Sequence, residues 1–135
     1  MGRLKDPMLE SIIVTVPPSP AFLHVLRQVT LGVGSRLRLT IDDIDDLRLA
    51  VDEAATFLLT RPEPSASLSL TLDPEMATLK ATIAVSADGS TWPPLGLADT
   101  LPWKIISGLV DRAKAERDDA GRPSIVVYKH ALDAS

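Results

Sequence analysis

A chain of 135 residues with 45% hydrophobic and 24% charged side chains is long and apolar enough to bury a sizeable core, and too apolar for disorder. Its formal net charge of -4 and sequence pI of about 5.0 leave no basic stripe for phosphate backbones, so direct nucleic-acid binding is not expected. With no cysteine and only His24 and His130, disulfides, thiolate chemistry and a histidine-rich metal site are excluded, and no metal ligands are expected.

Residues 1–8 read as a flexible N-terminal segment ahead of one domain over 9–133. Met1–Asp6 carries no apolar h-region, and no apolar run approaches the ~20 residues of a membrane helix, so the expectation is a cytoplasmic protein without a membrane partner. Leu9–Val16 reads as a strand, because Ile12, Ile13, Val14 and Val16 are β-branched and Pro17-Pro18 ends the run. Ser19 before Pro20 is an N-cap signal, and the helix it opens carries Phe22, Leu23, Leu26 and Val29/Thr30 on one face, closing near Gly32 and Gly34. Thr40 and Asp43 form a capping-box-like start to the next helix, with Ile44, Leu47, Val51, Ala54/Ala55 and Leu58 as its core stripe. Arg61-Pro62-Glu63-Pro64 stops it.

Two alternating strands follow, Ser67–Leu72 and Leu79–Val85, joined through Asp73-Pro74-Glu75-Met76 as a hairpin connection. Asp88–Leu101 is rich in glycine and proline and reads as a loop. Trp103–Arg117 reads as a third helix with Ile105/Ile106, Leu109/Val110 and Ala113 inward, and Ser124–Tyr128 as the last strand. The order β-α-α-β-β-loop-α-β predicts an α+β fold, a two-layer sandwich with helices packed on one face of a mixed, mostly antiparallel sheet.

The segment Asp46-Leu47-Arg48-Leu49-Ala50-Val51-Asp52-Glu53-Ala54-Ala55-Thr56 resembles the N-box of the RsbW-type anti-sigma-factor kinases, a branch of the histidine-kinase-like (Bergerat) ATPases. Leu101–Asp111 resembles the family's last helix, and the "D-L-R-L-A-V-D-E" run with a Trp in that helix is similar to the actinobacterial UsfX-like members. The resemblance implies the Bergerat fold and a part in transcription regulation by binding a sigma factor. It also implies release by a STAS-type anti-anti-sigma partner, and a homodimer.

What the resemblance implies for catalysis is only partly present in the residues. The family's N-box Glu is matched by Glu53, but the Asn that holds magnesium one turn later is replaced by Phe57. A phenyl ring offers no oxygen to a hard cation. Of the family's D-x-G-x-G loop only Asp88-Gly89 remains, and the G-x-G-L turn maps onto Thr100-Leu101-Pro102-Trp103, where proline has no N–H for a phosphate. The expected cofactor is therefore none, with weak ATP/Mg binding as the residual possibility at Asp88 and Gly89.

Glu53 is read either as a surviving general base or as a carboxylate on a half-exposed helix edge, satisfied by a neighbouring Arg or Lys. Asp42, Asp43, Asp45 and Asp46 are either a sigma-facing acidic patch or a solvated helix start. Trp92 and Trp103 either fill the former nucleotide pocket or cap the core. Arg27 lies opposite the apolar stripe of its helix, where the resemblance places a sigma contact. The leading expectation is a binding module acting as an anti-sigma factor. The alternative is a divergent serine kinase that uses Glu53 on the STAS-type antagonist, and a non-catalytic relic serving another complex is the third reading.

Overall fold

The computed structural model describes residues 10–131; the expected flexible segment 1–8, and Leu9 at the expected start of the first strand, lie outside them. Strand β1 runs Ile12–Val16, helix α1 Leu23–Gly34 and helix α2 Ile41–Leu59. Strands β2 (Leu68–Glu75) and β3 (Thr78–Val85) follow, then helix α3 (Leu101–Leu109) and strands β4 (Arg112–Arg117) and β5 (Pro123–His130). The five strands form one sheet in the order β1-β2-β3-β5-β4, antiparallel at every pairing. The molecule is thus the expected α+β sandwich, although its sheet contains no parallel pair among the described residues.

Helix α2 starts as its sequence dictates. Thr40 Oγ1 accepts from Asp43 N–H at 3.0 Å and Asp43 returns the bond to Thr40 N–H at 3.3 Å, a complete capping box. The stripe Leu47, Val51, Ala54, Ala55 and Leu58 is fully buried against Leu68, Leu70 and Leu72 of β2, Leu79, Ala81 and Ile83 of β3, and Ile125 and Val127 of β5. Period two in the strands and 3.6 in the helix thereby place their apolar faces in one layer. Helix α1 lies on the β2 side of α2 and α3 on the β4 side.

Three sequence expectations need correction. Trp103–Arg117 is not one helix: α3 ends at Leu109, and Arg112–Arg117 pairs with β5 as an edge strand. Its Arg-Ala-Lys-Ala-Glu-Arg composition favours helix intrinsically, but Ala113 and Ala115 pack on the core while Lys114 and Glu116 pair across 3.3 Å. Tertiary pairing outweighs propensity there, and the charges blunt an exposed edge. The hairpin connection is also shorter than expected, since β2 continues through Pro74 to Glu75. Pro74 lies beyond Leu72, where the described pairing with β1 stops, so its missing N–H interrupts no ladder on that side. Finally, of the expected inward residues of α3 only Ile106 is fully buried; Ile105 remains 38% exposed.

The β4–β5 turn is pinned by Asp118. Its carboxylate accepts from the backbone N–H groups of Ala120 and Arg122, both at 2.9 Å, and from Arg122 Nε at 2.7 Å. Burial pushes this carboxyl up, but the Arg122 and Ala120 hydrogen bonds and the Arg122 charge outweigh it and hold it below its ordinary 3.8. A pKa lowered by folding stabilises above the unfolded value and loses that contribution as pH falls through the folded one. Asp118→Asn is expected to lower the melting temperature at pH 7, and the gap to the parent chain should close as pH is taken well below 3.8. Thermal unfolding followed by circular dichroism across that range checks it.

Candidate functional site

The expected site residues surround the C-terminal half of α2, the loop after β3 and the start of α3. Phe57, on the last turns of α2, meets Trp92 of that loop with ring centroids 6.0 Å apart and planes tilted by 54°, a geometry aromatic pairs favour. Trp92 is only 2% exposed. Its indole Nε1–H is shared between the carbonyls of Glu116 and Ser124, 3.1 Å from each. Arg61, just past α2, lays its guanidinium 5.2 Å from the Trp92 ring centroid. It also donates to Asp88 O and Thr91 Oγ1, each at 3.4 Å, and pairs with Glu63 at 2.9 Å. Trp92 thus lies against the C-terminal end of α2, between Phe57 and Arg61. Trp103 is half-buried at the start of α3 and packs against the core.

Asp88 and Gly89 are committed to the loop itself. The Asp88 carboxylate accepts from Ser90 N–H and Ser90 Oγ, both at 3.0 Å. These bonds, with the Arg61 and Arg117 charges, hold it below its ordinary value even though it is exposed. Gly89 is buried, and a Cβ built on it would collide with the carbonyl oxygen of Gly121. This glycine lets two backbones touch, the loop after β3 and the β4–β5 turn. The segment aligned with the family's second glycine turn is the capped first turn of α3. Thr100 Oγ1 accepts from Trp103 N–H at 3.4 Å, and Pro102 has no N–H to give.

Glu53 is half-buried and enters no ion pair among the described residues, so the Arg or Lys partner expected for it is not seen there. Arg27 does not stand clear of the helices. It turns toward α2 and reaches Asp52 across 3.8 Å, with 42% of its side chain still exposed. The acidic start of α2 divides in the same way: Asp43 closes the capping box and, with Asp46, faces Lys129 Nζ at 3.8 and 3.6 Å. Asp45 pairs with Arg48 at 3.5 Å. Sequence reasoning missed Arg61, whose only sequence signal was a cation placed directly after the last apolar residues of α2.

No family model matches the chain. It is similar over part of its length to proteins named RsbW. A serine-protein kinase RsbW of Halalkalibacterium halodurans is 45% identical over 47 residues, 35% of this chain and 29% of that protein. One from Bacillus subtilis is 42% identical over 45 residues, 33% and 28% of the two chains. An anti-sigma-F factor RsbW of Mycobacterium tuberculosis is 29% identical over 96 residues, 71% of this chain and 55% of that protein. The matches span less than two thirds of each of these relatives.

The Trp92 arrangement predicts two stability effects. Gly89→Ala should cost about 1–3 kcal/mol, because the obstructing atom is backbone and cannot rotate away. Trp92→Ala should cost about 3–5 kcal/mol, since it leaves a large cavity beneath Phe57 and Arg61. Urea unfolding of the two variants against the parent chain measures both.

Proposed function

We propose that the chain is an anti-sigma factor, which binds a sigma factor by surface complementarity and withholds it from transcription without metal-assisted phosphoryl transfer. The observation that carries this reading is Phe57 packed against Trp92, on the helix whose sequence resembles the N-box. Where the related kinases are expected to present an oxygen ligand to magnesium, this chain presents an aromatic ring packed on another. The other residues the resemblance points to are engaged locally: the Asp88 oxygens accept from Ser90, and the Trp103 N–H donates to Thr100. We derive no catalytic step through ATP or magnesium.

The finer parts of the proposal rest on the family resemblance. They are closeness to UsfX-like actinobacterial anti-sigma factors, release by a STAS-type antagonist, a homodimer and a cytoplasmic location. The similarity across 71% of this chain to a mycobacterial protein named as an anti-sigma factor supports the first. Among the described residues no helix is long and apolar enough to cross a membrane. The names of the Halalkalibacterium and Bacillus relatives favour the kinase reading, and so does the retained Glu53.

Two measurements separate these readings. Co-expression with sigma factors of the source organism should give, with one of them, a complex that survives size exclusion at micromolar concentration. Titration calorimetry with millimolar ATP, with and without magnesium, should show no binding heat. Phosphate transfer from ATP to a STAS-type protein, abolished by Glu53→Gln, would establish the kinase instead.

A further inference from the structure

Helix α3 runs antiparallel to α2. Its last carbonyl, Leu109 O, takes a hydrogen bond of 2.9 Å from Lys129 Nζ, which also faces Asp46 near the start of α2 at 3.6 Å. Its first residues follow the loop whose Trp92 packs on Phe57, near the opposite end of α2. The stripe Leu47, Val51, Ala54 and Leu58 of α2 and Ile106 of α3 are buried on the sheet side. With both helices so anchored, about 3.6 residues per turn fixes their outer faces. Leu49 stands at the crest of α2 and Glu53 on the shoulder toward α3, while Leu101 and Ile105 line the flank of α3 that faces α2. Leu49 is 57% exposed, Leu101 69% and Ile105 38%. Three aliphatic side chains therefore border one shallow furrow, with the carboxylate of Glu53, which has no ion pair among the described residues, between them.

Such a cluster differs from scattered surface leucines, which are ordinary. The carboxylates of Asp42 and Asp45 lie along the same crest of α2, so the furrow is apolar at its centre and acidic along its α2 border. We propose that this α2–α3 furrow is the docking surface for an amphipathic helix of the sigma factor. The partner helix would set apolar residues at spacings of three and four on Leu49, Leu101 and Ile105, and a Lys or Arg against Glu53. Charge complementarity selects this occupant, since an acidic or neutral helix would leave Glu53 half-buried and unpaired. The inference rests on the anti-sigma reading and assigns its surface. Glu53 acquires a use there that needs no nucleotide, as the carboxylate that orients a basic partner.

The test is calorimetric titration of the same sigma factor into Leu49→Asp, Ile105→Asp and Glu53→Lys variants, with Met76→Asp as a control on the β2–β3 turn, where Met76 is 91% exposed. Each furrow variant should weaken binding at least about tenfold, as loss of a central anchor does, and the control should bind as the parent chain does. Circular dichroism confirms that each variant is folded. Hydrogen exchange on the parent complex should show protection concentrated on α2 and α3. Unchanged affinity in the folded furrow variants, or protection confined to α1 and the sheet, overturns the docking assignment while leaving the anti-sigma reading intact. No complex with the unsubstituted chain overturns both.

Discussion

The indole of Trp92 is the contact on which the placement of the other parts depends. Its N–H lies between two carbonyls, Glu116 O on β4 and Ser124 O on β5, and its ring is covered by Phe57 and Arg61 from the end of α2. One side chain from a loop with little regular structure thus ties the far edge of the sheet to the central helix. An indole suits this position because it joins a large apolar body to a single donor. Ser124 reinforces the same point, its hydroxyl donating to Glu116 O at 2.8 Å while the residue itself is fully buried. Gly89 completes the arrangement, since any side chain there would hold the loop away from Gly121.

This packing and nucleotide chemistry make opposite demands on the same volume. A phosphoryl-transfer site needs room, oxygen ligands for a cation and backbone donors left free for phosphate. Here the volume is filled by aromatic rings and the donors at the start of α3 are spent on its own cap. The buried stripe of α2 packs on the sheet, and the loop after β3 packs on the end of the same helix. On the proposed anti-sigma reading, recognition falls to the outer surface of the helical layer, where Leu49, Leu101 and Ile105 are exposed.

Legibility in the sequence followed how local each determinant is. Helix α2 was readable throughout because its capping box and its apolar period are written within about one or two turns. Strand β4 was not, because Ala, Lys, Glu and Arg favour helix locally and only pairing with β5 makes them a strand. The side of α1 on which Arg27 sits was readable, but its partner Asp52 belongs to another helix and depends on how the two pack. Gly89 and Gly121 are far apart in the chain, and their contact exists only once the sheet closes. Phe57 was visible as a departure from the resemblance and Trp92 as a side chain filling the former pocket or capping the core, and their tilted contact is what the folded chain added.

The acidic run at the start of α2 shows why composition alone could not mark a recognition surface. Asp43 serves the cap, Asp43 and Asp46 share Lys129, and Asp45 pairs with Arg48. Lys129, its side chain only 11% exposed, also meets the last carbonyl of α3, a favourable place for a cation. The inward carboxylates therefore lock α2, α3 and β5 together, and exposed surface pairs such as Asp45 with Arg48 contribute little either way. What the run offers a partner is confined to Asp42 and Asp45 on the outer side, continued by Glu53 two turns further along. Glu53 is half-buried and has no ion pair among the described residues, so a basic side chain of a partner could meet it without displacing another. The exposed aliphatic side chains around Glu53, rather than the number of aspartates, set the proposed α2–α3 furrow apart.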